Sequence, residues 1–272
     1  MLGLGSNLAN INYQQETGFT DNYSVALDGT GDYLDTGATF QSTFRDSFSI
    51  SFWMKSTANV NNNMFWGTQE SGDEDAVFFY TRGSTRKISF NFFANNDKHR
   101  EEADAVTFAA ESSGGAGDGG TEGAWFHFVA VITKASSGDT GFSTVIYKDG
   151  SVLATTTAVG SVSDTNQAAY TNPHEVYIGG RNTDGSIGNP AKVIIDDWAL
   201  WNVALDADAV SAIYNSGVPT DLLSNSGNYD NSGDLVAYYK LNEGSGTTAT
   251  DATGGSDGTL TNGPSYVTDT PS

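Results

Sequence analysis

Apolar and polar residues alternate with a period of two over much of this chain. Phe48-Ser49-Ile50-Ser51-Phe52-Trp53-Met54-Lys55 places Phe48, Ile50, Phe52 and Met54 on one face of a strand and Trp53 on the other. Similar patterning predicts strands over 76–80, 87–93, 125–133, 175–179, 191–201 and 235–241. Segments 143–148 and 151–156 flank Asp149-Gly150, a dipeptide suited to two-residue hairpins because both of its positions tolerate positive φ. A single helix is expected: Asp206 can cap it, 207–214 puts Val210, Ile213 and Tyr214 on one side, and Gly217 closes it. Residues 111–123, rich in Gly, Ser and Asp, read as a loop, and 215–233 as a polar connector.

Composition supports an all-β sandwich. The 272 residues include 32 Gly, 15 Phe and 12 Tyr, with many Thr, Ser and Val, which favours strands and turns over helices. That length suits one large sandwich domain, with a core big enough to fold without staples. No cysteine is present, so disulfides and zinc-thiolate sites are excluded. Met1-Leu2-Gly3-Leu4-Gly5 lacks a basic region and a long apolar run, so no signal peptide is expected. Membrane insertion is not expected either, because no segment approaches the roughly 18 apolar residues of a span. A net charge of −21 opposes binding to nucleic acid or anionic lipid.

Four ordered segments resemble the laminin-G-like branch of the concanavalin A-like lectin/glucanase superfamily. They are 25–34 (VALDGTGDYL), 48–55, 145–150 (VIYKDG) and 195–202 (IDDWALWN), the last followed by Ala204-Leu205 and the helix. The resemblance implies a jelly-roll β-sandwich over 21–217, preceded by an arm, 1–20, and followed by a connector and terminal strand, 218–272. Many relatives carry a stretch like 235–260 before the opening strand. Its position at the end implies a circular permutation closed within the chain, or a strand donated to a neighbouring subunit. The whole also resembles virion proteins of tailed phages of marine cyanobacteria. That likeness implies assembly in a host cytoplasm and a place on the virion surface, with other virion subunits or further copies of the chain as partners.

Hard cations need several oxygen donors, and Asp28-Gly29-Thr30-Gly31-Asp32 offers two carboxylates in a tight turn. In the family the turn lies near the closing strand, so Asp196 or Asp197 is expected to complete a structural calcium site. Strand alternation allows only one of these two to point inward. The alternative is that Asp28 caps its turn and the carboxylates are solvated. For a surface glycan, Trp53, Trp66 and Tyr80 are the candidate stacking rings and Arg82 a hydrogen-bond donor, against the alternative that these aromatics form the core. Lys98-His99-Arg100 reads as a solvated loop answered by Glu101 and Glu102, or as an ion-pair contact with an acidic neighbour. The paired-acid pattern of jelly-roll glycosidases, Glu-x-Asp-x-x-Glu, is absent, and the cluster Glu70, Asp73, Glu74 and Asp75 falls in a turn. The expectation is a non-enzymatic virion protein used for subunit contact and weak glycan adhesion, with a dedicated lectin domain as the alternative and a glycoside hydrolase behind both.

Overall fold

The computed structural model describes residues 19–56, 62–72, 74–105, 123–134 and 142–272. The predicted loop at 111–123, the arm at 1–20 and Asp73 lie wholly or mostly outside them. Two sheets form the sandwich. Sheet A runs in the order Ser151–Val152, Ser143–Lys148, Trp125–Thr133, Phe48–Ser56, Val193–Trp201, Ser24–Ala26, Ser265–Val267, with Leu235–Tyr239 also paired to Val193–Trp201. Sheet B runs Thr155–Val159, Asp97–Ala103, Lys87–Ala94, Ala76–Arg82, Met64–Gln69, Tyr177–Ile178, Tyr33–Asp35, Gly258–Thr261, Thr248–Ala249. Pairing is antiparallel along both orders; the short strand Arg181–Thr183 adds one parallel pairing to Met64–Gln69.

The alternation sends Phe48, Ile50, Phe52 and Met54 into the space between the sheets, where Phe52 meets Phe79 of sheet B edge-on at 5.3 Å. The turn between 148 and 151 takes the predicted geometry, with Asp149 at φ 51° and Gly150 at φ 71°. The strand expected over 151–156 is two strands: Ser151–Val152 ends sheet A, and Thr155–Val159 begins sheet B. Here the chain crosses from one sheet to the other, which an alternation pattern does not register. Asp97–Ala103 is a strand and not a loop. Its His99, Glu101 and Ala103 are buried while Lys98, Arg100 and Glu102 point the other way, so Lys98 and Arg100 mark an outer face although Glu101 lies inside.

Asp206 caps the helix Ala207–Tyr214 by accepting a bond from Ala209 N at 2.8 Å. Asn215, in the left-handed conformation, ends it two residues before Gly217. Val210 and Ile213 pack against Val129, Ala199 and Trp201 on the outer face of sheet A, and Leu222 and Tyr229 of the connector extend this cover. Short helices at Gln41–Phe44 and Asp164–Ala168 were not expected. The C-terminal segment pairs within its own chain and serves both sheets: Leu235–Tyr239 and Ser265–Val267 enter sheet A, Thr248–Ala249 and Gly258–Thr261 sheet B. Among the described residues no helix is long and apolar enough to cross a membrane.

Candidate functional site

The candidate stacking residues do not share one face. Trp66 is fully buried in the core, because a bulge between Met64 and Trp66 turns both Phe65 and Trp66 inward. Trp53 lies on the outer face of sheet A but is roofed: Tyr214 stacks on it at 5.8 Å and His127 lies 4.6 Å away, leaving 4% of it exposed. Neither ring presents a face to a surface ligand, which corrects the expectation for both. Tyr80 and Arg82 point outward from sheet B. Tyr80 is buried in a cluster with Met64, Ala76, Phe78 and Phe93, and exposed Arg82 pairs with Glu102 at 2.9 Å.

The outer face of sheet B carries a feature no single sequence segment displays. Strand register aligns Arg100, Asn91, Phe78, Gly67, Tyr177, Asp35 and Thr259 in one row across it. Arg100 Nε donates to Asn91 Oδ1 at 2.9 Å. The Arg181 guanidinium lies 5.0 Å over the Phe78 ring, and Tyr33 stacks on Tyr177 at 4.3 Å. Gly67 sits between the two aromatic groups, where any Cβ would overlap Phe78. Asp35 is half-buried, and burial followed by the neighbouring Glu175 charge raises its pKa. Seven strands at about 4.8 Å spacing make the row roughly 29 Å long. Phe78, Asn91 and Tyr177 are buried within it, so what it turns outward is the half-buried Arg100 and Asp35, the exposed Thr259 and the half-buried Tyr33 ring beside them.

The carboxylates divide differently from the sequence expectation. Asp28 caps its own turn, accepting from Thr30 N at 2.7 Å and from Thr30 Oγ1 at 2.5 Å, and these bonds hold its pKa down. Asp32 is buried and accepts from Asp28 N at 3.2 Å; its burial raises its pKa. The group that converges with Asp196 and Asp197 is instead Asp21, which sequence reasoning missed. One oxygen from each of these three lies within 4.8 Å of the other two. Asp28 and Asp32 are outside this group.

A second bulge explains why Asp196 and Asp197 act together. Asp196 pairs with Trp53 and Ala199 with Ser51, so the closing strand carries one extra residue. Asp197 absorbs it in the left-handed region, at φ 46°. Alternation is broken at this point, and both side chains are buried on the helix side of sheet A. Tyr238 OH donates to Asp197 Oδ1 at 2.6 Å, and Asp197 N donates to Asp196 Oδ1 at 3.0 Å. Burial pushes both carboxyls well up, Asp196 further through the Asp197 charge, and burial lifts Asp21 to about 6.

Beside Asp197 a small cavity of about 10 Å³, the room of one water, is lined by Ser51, Trp53 and His127. His127 Nε2 lies 2.9 Å from Ser51 Oγ, and burial holds its pKa down to about 3 from 6.5. With the folded value depressed, the unfolded chain takes up the proton first as pH falls. The stability due to neutral His127 is therefore complete above about pH 6.5 and lost progressively towards pH 3. At pH 4.5 that loss is roughly 3 kcal/mol. His127→Gln keeps a hydrogen-bonding group near Ser51 and takes up no proton. Urea unfolding should thus show its deficit relative to wild type shrinking by about 2–3 kcal/mol between pH 7 and 4.5; a deficit independent of pH would refute the assignment.

Sequence comparison places residues 28–211 within a profile of the concanavalin A-like lectin/glucanases superfamily. Comparison with curated proteins finds no match. Among solved structures, the fold is similar to a candidate carbohydrate binding protein from Bacteroides ovatus (TM-score 0.54, 18% identity), covering 93% of this chain and 62% of that one. It is also similar to a heptameric SAP-like pentraxin from Limulus polyphemus (TM-score 0.51, 15% identity), covering 90% and 94%. A leech intramolecular trans-sialidase aligns at TM-score 0.51 and 14% identity over 75% of this chain and 29% of that one. At these identities the likenesses establish the fold alone.

Proposed function

We propose that this chain, which belongs to the concanavalin A-like lectin/glucanases superfamily, works as a carbohydrate-binding module without catalytic activity. The observation that carries the reading is the row on the outer face of sheet B. Sugars are bound by stacking their C–H faces on aromatic rings and by hydrogen-bonding their hydroxyls to planar polar groups. Tyr33, packed on the buried Tyr177, supplies the ring, and the half-buried Arg100 and Asp35 supply the polar groups, all on rigid strands. Among the described residues the outer face of sheet A is covered by the helix and connector. A row of this length suits an extended oligosaccharide better than one sugar ring. The Bacteroides protein, named for carbohydrate binding, is consistent with this reading.

The test is a glycan array probed with the labelled full-length chain, followed by calorimetry on the best ligand. Saturable binding is expected, weakened at least about tenfold in Tyr33→Ala and in Arg100→Ala, the scale of one lost binding anchor. Trp66→Phe should bind as wild type. Affinities unchanged in both surface variants would remove the site, and release of reducing ends from the ligand would overturn the non-catalytic part. The resemblance to virion proteins supplies a setting: a glycan-binding sandwich displayed on a phage particle would aid adhesion to the host. Immunogold labelling of intact particles tests that setting separately.

A further inference from the structure

We infer that the row on the outer face of sheet B takes an acidic heteropolysaccharide in one direction, with a carboxylate or sulfate of the ligand on Arg100 and an uncharged sugar on Tyr33. The inference rests on the carbohydrate-binding reading of that face and adds the charge and the orientation of the ligand. It starts from the distribution of charge. The chain has 33 Asp and Glu against 12 Lys and Arg. Yet five of its cations, Arg82, Lys87, Lys98, Arg100 and Arg181, stand on or over one half of this face. Among the described residues of Met64–Gln69, Ala76–Arg82, Lys87–Ala94 and Asp97–Ala103, the outer face carries one carboxylate, Glu102. It is already answered by Arg82 at 2.9 Å and Lys87 at 3.8 Å. Asp97 shares the side of His99 and accepts from Ser163 N and Oγ, each at 3.0 Å. The other half of the row carries Asp35, with the Glu175 charge acting on it. The row is therefore positive towards Asp97–Ala103 and negative towards Tyr33–Asp35.

Arg100 is prepared to receive an anion. Asn91, 0% exposed, accepts from its Nε at 2.9 Å and fixes the plane of the guanidinium. Its two Nη groups have no hydrogen-bond or ion-pair partner among the described residues. A guanidinium edge left open in this way pairs with a carboxylate or sulfate through two parallel bonds. The net charge of −21 does not oppose this locally. At physiological salt, charges are screened beyond about 8 Å. An anion on Arg100 therefore senses Lys98 and the already paired Glu102, each two residues away on the same strand and roughly 7 Å off. Glu70 and Glu74 belong to the turn beyond the strand ends. Five strand spacings, about 24 Å, separate Arg100 from Asp35 and Tyr33. A nucleic acid, charged at every residue, would meet Asp35 and Glu175 with its own charge. A polysaccharide that mixes acidic and uncharged residues can set an uncharged one there.

The experiment is calorimetry of the full chain with oligosaccharides of hyaluronan, chondroitin and κ-carrageenan, and with the uncharged glycans that the array selects. Each acidic oligosaccharide is paired with its own uncharged form, the carboxylates reduced to alcohols or the sulfates removed. The best acidic ligand should bind at least about tenfold tighter than its uncharged form. That preference should shrink several-fold between about 0.15 and 0.6 M NaCl. Arg100→Gln should cost the acidic form at least about tenfold and the uncharged form about twofold or less. Arg100→Lys, which keeps the charge without the fork, should restore part of the preference. Tyr33→Ala should weaken both forms alike, because a stacking ring does not sense the distant charge. Uncharged glycans bound as tightly as acidic ones, or a preference that survives Arg100→Gln, would overturn the inference and leave the carbohydrate-binding reading standing. Binding of no glycan at all would remove that reading, and the inference with it. Oligo-dT bound more tightly than any acidic glycan would assign the cations to nucleic acid and also overturn it.

Discussion

Removing residues 235–272 should leave no folded domain. Tyr238, Tyr239 and Leu241 are buried, as is Leu260, and each contributes roughly 2 kcal/mol of burial, about 8 kcal/mol together. That is comparable with the 5–15 kcal/mol of a typical domain's whole stability. The deletion also strips Leu235–Tyr239 from the closing strand, Ser265–Val267 from the first strand, and Gly258–Thr261 from Tyr33–Asp35. Both sheets would then present unpaired strand edges, a route to aggregation. Circular dichroism and size-exclusion chromatography should show an unfolded or aggregated product. Adding the segment back as a separate peptide should restore β signal only in stoichiometric mixture. A soluble truncated chain with the wild-type spectrum would show that the terminal strands are accessory.

The largest single-residue effect is expected at Trp198. It is fully buried, with ring contacts to Phe40 at 6.2 Å, Trp66 at 6.3 Å and Tyr239 at 6.0 Å. It therefore joins the closing strand to sheet B and to the C-terminal segment. Trp198→Ala should cost about 3–5 kcal/mol through lost burial and the cavity left behind, lowering Tm by about 10 °C. The indole N–H finds no acceptor among the described residues, so Trp198→Phe forfeits no hydrogen bond and should recover more than half of that loss. Urea denaturation of the two variants checks the order. A Phe variant as unstable as the Ala variant would mean that the indole N–H carries the interaction and packing does not.

Where structure follows from periodicity, the sequence was readable. Phe48–Ser56, the Asp149-Gly150 hairpin and the Asp206 cap stand where alternation, turn chemistry and capping put them. Two of the misses come from local breaks in alternation. A bulge buries Trp66, and another makes Asp196 and Asp197 neighbours on one side. A bulge adds a residue without leaving a composition signal, so both assignments of facing were inaccessible. The strand Asp97–Ala103 hid behind its charges, of which Lys98, Arg100 and Glu102 lie on the outer face of sheet B and Glu101 inside. Asp21 lies before the first strand in no recognisable motif, and only the three-dimensional fold brings it to residues 196–197. The binding row likewise draws its members from seven strands, so no local segment contains it.

The central claim is that ligand lies along the outer face of sheet B. Its most direct test is amide chemical-shift mapping by NMR during titration of an oligosaccharide identified by the array. The account predicts shifts concentrated at Asn91, Arg100, Gly67, Tyr177, Tyr33 and Asp35, and a quiet helix Ala207–Tyr214. Shifts centred on that helix and Trp53, or spread over neither face, would contradict it.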